Sequence, residues 1–227
     1  PSALSALAAL YTEKEPIIKN LLSFSGDGTI MPTYKDAADF AATYPFVPYQ
    51  FQLLQKVYTI IRRTGASGQH LAHGERSMIN AFQSAARAGS EVEVGILVPF
   101  YSFYDSIENS LEGAVKSTIT RASEDRSLNG ELDTKILKLL FLLRNLDREI
   151  PPTLENLATL CVGHVDADKL KIKKDIEASL SRLERQNLIR RNDDRYFYLS
   201  DQEQEIEREI QHTEVDSTRQ AKRLFSL

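Results

Sequence analysis

One cysteine, Cys161, is all that the 227 residues contain. A lone thiol excludes an internal disulfide and a four-thiolate metal site. His70 with His73, and Cys161 with His164, each lack the second pair of ligands that a structural zinc site needs, so no metal is expected. No stretch approaches the roughly 18 consecutive apolar residues of a membrane span. The N-terminal Ala/Leu stretch lacks the basic start and unbroken apolar run of a signal peptide. A cytoplasmic chain with no membrane partner is expected. Charge of one sign is not in excess either: 28 basic against 32 acidic side chains leave a formal charge of -4, so any basic site must be local. A G-x-x-x-x-G-K-[ST] loop is also missing, and with it the phosphate cradle and magnesium ligand of an ATPase. This chain alone should not hydrolyse ATP.

What is present suits a folded core: 42% hydrophobic residues, enough for one large domain or two small ones. The chain opens on Pro1-Ser-Ala-Leu already in helical spacing, as a piece of something longer would. A first helix carries Leu4, Leu7, Leu10 and Tyr11 past Pro16 to Leu22, and Ser25-Gly-Asp-Gly-Thr ends it. A short helix is expected over 36–42. Tyr44-Pro-Phe-Val-Pro is extended, because proline biases the residue before it away from helix. Pro48 opens a helix through Leu54, Val57, Tyr58 and Ile61, with Gly65 as its cap. Glu75 starts another with Met78, Ile79, Phe82 and Ala85 inward. Val92, Val94 and Ile96 alternate, and Phe100, Tyr104, Ile107, Leu111, Val115 and Ala122 predict one long amphipathic helix.

Ser123 to Gly130 reads as a linker. Beyond it the spacing predicts helices near 134–146, 154–161 and 168–186, then a hairpin of Leu188-Ile-Arg-Arg and Arg195-Tyr-Phe-Tyr-Leu around an Asn192-Asp-Asp tip. Three helices and a hairpin make a winged helix. A charged helix over 201–211 follows.

In the third of these helices Ile172, Ile176, Leu180 and Leu183 share one face, which turns Lys171, Lys174, Arg182 and Arg185 the other way, with Asp175, Glu177 and Glu184 toward the edges. Arg190, Arg191 and Arg195 line the hairpin. Such a helix and wing carry the charge for contact with DNA phosphates. A solvated face or a protein-docking module are the alternatives. A second constellation is Gly74-Glu-Arg-Ser, where an Arg in the first turn of a helix, Arg76, can pair with a phosphate; a capped loop that joins two core helices is the alternative on the same spacing. Cys161 at an apolar position reads as core rather than nucleophile. Tyr44, Phe46, Tyr49 and Phe51 read as packing.

Tyr44-Pro-Phe-Val-Pro-Tyr-Gln-Phe, the Gly65 to Met78 stretch with Gly-Glu-Arg-Ser-Met, Val98-Pro-Phe-Tyr, and Tyr198-Leu-Ser-Asp-Gln-Glu-Gln-Glu-Ile together resemble the large P-loop ATPase of BREX phage-defence systems, the BrxC/PglY family. The resemblance runs from about Tyr44 to Ile210. It implies a mainly α chain that follows the nucleotide-binding core: residues 1–43 continue from an upstream domain, 44–130 form a helical AAA-like lid, 131–200 a winged-helix domain with a short β-hairpin, and 201–227 a charged helix and linker. The implied role is a non-catalytic lid and winged helix that couple nucleotide state to DNA or partner assembly. A free-standing winged-helix DNA-binding regulator, or a structural docking module, are the other expectations. ATP and Mg would belong to the full-length protein, with Arg76 as its nucleotide sensor. The implied partners are other BREX proteins, duplex DNA and, for the full-length protein, an oligomer.

Overall fold

Ser2 caps the first helix, α1 (Ala3–Leu21), by accepting a hydrogen bond from the Ser5 amide at 3.3 Å. Pro16 lies inside α1, whose Tyr11, Ile18 and Leu21 turn inward. The computed structural model describes residues 2–64, 74–88, 94–108, 111 and 113–210, and for 74–76, 88, 114 and 115 the backbone alone. The fold is mainly helical, with one two-stranded antiparallel sheet among the described residues.

Asp36 caps α2 (Ala37–Thr43), and the Tyr11, Tyr34 and Phe40 rings join it to α1 at centroid separations of 4.9 to 5.9 Å. Tyr44-Pro45 is a cis peptide, and Pro48 opens α3 (Pro48–Arg63) as its spacing predicts. Gln50 joins two of the motifs quoted above. Its Oε1 accepts from the Val47 amide at 3.2 Å and its Nε2 donates to the Val98 carbonyl at 2.6 Å, while the Val98 amide donates to the Pro45 carbonyl at 3.1 Å. Gly65, expected to cap α3, lies outside the described residues, as do His70 and His73.

Phe82 on α4 (Gly74–Ala88) stacks on Phe51 at 4.7 Å and meets Phe46 edge-on at 4.9 Å, so the aromatics around the prolines serve packing. Residues 95–97 then run beside 163–165: the Leu97 amide donates to the Gly163 carbonyl and the Val165 amide to the Gly95 carbonyl, at 3.0 and 2.9 Å. Gly95 has φ +113°, and a Cβ there would stand 2.8 Å from His164 Nε2. Only glycine fits that approach.

The long helix expected from Phe100 to Ala122 is a correction. The chain forms a 3-10 turn (Phe100–Phe103), a short α5 (Tyr104–Glu108) and a separate α6 (Gly113–Glu124). Leu111, between them, is not helical, and Gly113, where α6 starts, is a poor helix former, features about which the apolar period carries no information.

Asn129 caps α7 (Gly130–Leu142), which begins earlier than the apolar period suggests. Thr153 caps α8 (Leu154–Leu160), Asp168 caps α9 (Lys169–Arg185), and the hairpin β1 (Ile189–Asn192) and β2 (Arg195–Tyr198) pairs Ile189 with Tyr198 and Asn192 with Arg195. Asp193, at φ +54°, makes the turn. On the other side of β2, Thr153 bridges Arg195 and the Tyr196 amide donates to the Pro152 carbonyl at 3.0 Å. Helix α10, over 201–210, starts from a reciprocal cap: the Ser200 amide donates to Glu203 at 2.7 Å and the Glu203 amide to Ser200 Oγ at 3.4 Å. One buried apolar cluster runs from Tyr11 to Tyr198.

Candidate functional site

Helix α9 owes its orientation to Ile176, Leu180 and Leu183, which are buried and fix what its opposite side presents. Lys171, Lys174, Ala178, Ser181 and Arg185 form that outer line, all exposed. No carboxylate lies on it, since Asp175, Glu177 and Glu184 stand to either side. Lys171 and Lys174 make no ion pair among the described residues, and Arg185 donates only to its own helix, at the Ser181 carbonyl, 3.1 Å away. These three cations are available to an anion.

The other α9 lysines are engaged inside the fold. Lys169 Nζ pairs with Glu155 at 2.9 Å and reaches the Asn20 and Ser23 carbonyls at 3.4 and 3.3 Å, so it neutralises the carbonyl end of α1. Lys173 pairs with the other oxygen of Glu155 at 2.5 Å. Together Lys173 and Lys169 hold the Glu155 carboxyl below its usual range.

Arg182, which the spacing turns away from the apolar face, does not join the outer line. It stands at the flank of α9, and its long side chain turns back to α7, where Nε and Nη2 each donate to Asp133 at 2.7 Å. Asp133 is fully buried. Burial alone would raise its pKa, but hydrogen bonds from the Arg182 guanidinium and the Asn129 amide, with the Arg182 charge, outweigh that and bring it below the ordinary value. The same pairing raises the Arg182 pKa.

On the hairpin, Arg190 and Arg191 are exposed on β1. Arg190 makes no ion pair among the described residues. Arg191 is fixed locally, donating to the Asp193 carbonyl at 2.7 Å and lying 5.5 Å from the Tyr196 ring centroid. Arg195 is half-buried and paired with Asp27 at 3.1 Å, which connects β2 to the loop after α1. That loop is seated on α8: Asn156 accepts from the Ser25 amide at 2.8 Å and donates to the Ser25 carbonyl at 3.0 Å, and Thr159 donates to the Ser23 carbonyl at 2.8 Å. The hairpin tip is acidic, with Asp193 and Asp194 both exposed.

The structure therefore brings Lys171, Lys174, Arg185, Arg190 and Arg191 to the surface of one helix-and-hairpin unit, pairs Arg182 with the buried Asp133, and pairs Arg195 with Asp27 at the surface. Sequence reasoning missed the Asp133 partner, although an aspartate among Ile136, Leu137 and Leu140 on an apolar helix was its signal. Arg76 falls in the first turn of α4, but its side chain lies outside the described residues. Burial pushes the Cys161 thiol up to about 12, so at neutral pH it is not a thiolate nucleophile. Among the described residues no three His, Cys, Asp or Glu side chains converge as metal ligands, and no helix is long and apolar enough to cross a membrane. Neither a protein-family model nor a solved structure matches this chain.

Proposed function

We propose that α7, α8, α9 and the hairpin form a winged-helix unit that contacts the phosphate backbone of duplex DNA, attached to the lid of an AAA-like ATPase of the BREX type. The outer line of α9 carries this reading: Lys171, Lys174 and Arg185 stand exposed without an intervening carboxylate, and Arg190 adds a further cation on the adjoining hairpin. The bridge from Thr153 to Arg195 supports the winged-helix plan, since it adds a third extended segment to the hairpin from the stretch between the first two helices. Ala178 and Ser181 keep the middle of the line low, so a backbone can approach closely. The ATPase context rests on the four motifs quoted from the sequence, two of which meet at Gln50 and Val98. In it, helices 44–130 form the lid and the winged helix responds to nucleotide state in the upstream core.

The DNA reading is tested by fluorescence anisotropy of this chain on short duplexes of unrelated sequence. Binding should fall steeply with salt. Lys174→Glu with Arg185→Glu should weaken every duplex about equally and lower the salt slope by about two, because each lost phosphate contact removes one released counterion. Both side chains are exposed, so the fold should survive. Wild-type affinity in the double variant would assign the outer line of α9 to solvent or to a protein partner.

A further inference from the structure

Leu170 interrupts the polar outer side of α9. It is 77% exposed in the first turn of the helix, next to Lys171 and one turn before Lys174. Beside it opens a groove of about 420 Å³, lined by Pro16, Ile17 and Leu21 of α1, by Ala167, and by the polar Asn20, Asp168 and Lys169. The backbone at this point is fixed without any help from the leucine, because Asp168 accepts from the Leu170 and Lys171 amides at 2.9 and 3.1 Å and Lys169 is tied to α1 and α8. An exposed leucine that the fold does not use is available to a ligand.

If the outer line of α9 lies on duplex DNA, as proposed above, its start is the part that reaches base edges. Its means of reading bases are few. Helix α9 contains no Asn or Gln, so it lacks the bidentate adenine contact, and the lysines beside Leu170 suit phosphates or guanine. The apolar feature of the major groove is the thymine C5 methyl. We propose that Leu170 is the specificity-determining residue of this unit and packs against a thymine methyl, while Lys171 and Lys174 hold the flanking phosphates. Charge complementarity favours DNA here over an apolar protein segment, since those two free cations adjoin Leu170, while the one carboxylate nearby, Asp168, is engaged by the Leu170 and Lys171 amides.

The test uses the intact chain and pairs of duplexes identical except that deoxyuridine replaces every thymidine, which removes the methyl and leaves charge and base pairing unchanged. Anisotropy titrations at low salt should show the wild type binding the thymine duplex about fourfold more tightly, the factor for burying one methyl-sized group. Leu170→Ala should bind both duplexes equally, at the affinity of the wild type for the uracil duplex, with an unchanged salt slope. Its helical circular dichroism should match the wild type, because the side chain is exposed.

Equal wild-type binding to both duplexes would overturn the role of Leu170 alone and leave the groove to an apolar protein segment. Discrimination that persists in Leu170→Ala would also overturn it, because the preference would then come from duplex shape. No binding to either duplex would overturn this inference together with the DNA reading on which it rests.

Discussion

Asp133 of α7 and Arg182 of α9 form a doubly hydrogen-bonded pair, 2.7 Å on each limb, in which the carboxylate is wholly buried. The pair fastens the first helix of the C-terminal unit to the third, and so sets how α9 presents its outer line. Removing the guanidinium would leave a buried charge without its counterion, a far larger penalty than the net worth of the pair. Arg182→Ala should therefore destabilise the chain by about 3 kcal/mol, read as a lower urea midpoint. Arg182→Lys should recover only part of this, since one ammonium cannot supply two parallel donors. Lys174→Ala, on the exposed line, should stay within about 0.5 kcal/mol of wild type.

The same pair predicts a pH dependence. The native Asp133 carboxyl titrates below its ordinary value, so the unfolded chain takes up the proton first as pH falls. Its stabilising contribution is complete above the unfolded value, about 3.9, and is lost as pH drops through the lowered native one. Urea midpoints of wild type and Asp133→Asn should differ most at neutral pH and converge in acid below about pH 4. A gap that stayed constant down to pH 2 would mean that Asp133 carries no linked proton.

Legibility followed sequence distance. The caps Asp36, Asn129, Thr153 and Asp168 are local devices, and the helices they start were readable from spacing, as was the hairpin from its Asn192-Asp-Asp tip. The break between α5 and α6 escaped because the apolar period continues across it while the helix does not. Within the site, spacing identified Lys171, Lys174 and Arg185 as outward. It could not separate them from Arg182, because a helical wheel places a Cα but does not say where a long side chain finds a carboxylate 49 positions away. The contacts from Asn156 to Ser25 and from Lys169 to the end of α1 are invisible for the same reason: polar side chains carry no periodic signal that names a distant partner.

Nucleotide binding separates the ATPase context from the site on α9. With no phosphate-binding loop, this chain should give no saturable heat with magnesium and ATP in calorimetric titration. If the ATPase context proposed above holds, Arg76→Ala in the full-length protein should lower turnover more than it lowers the melting temperature, as expected for a cation that stabilises the transferring phosphoryl group. Saturable binding by the chain alone would place the nucleotide site within these residues. Unchanged turnover with a large loss of stability would assign Arg76 to the fold.

The hairpin tip provides the sharpest electrostatic test of how the unit meets a duplex. Asp193 and Asp194 are exposed beside Arg190 and Arg191, so a tip that approaches DNA brings two negative charges toward the phosphates. Asp193 sits at φ +54°, a conformation that asparagine tolerates as well as aspartate, and it is the Asp193 backbone carbonyl that receives Arg191. Asp193→Asn with Asp194→Asn therefore removes the charge and keeps the turn. If the tip lies within a Debye length of the backbone, the double variant should bind duplex DNA about three- to tenfold more tightly at low salt, mainly through faster association, and the gain should shrink at high salt. Stopped-flow anisotropy at two ionic strengths measures both. An unchanged association rate would mean that the tip points away from the duplex and that contact runs through α9 and the base of β1. Weaker binding would mean that the two carboxylates help to hold the tip in shape, which a lower melting temperature of the variant would reveal independently.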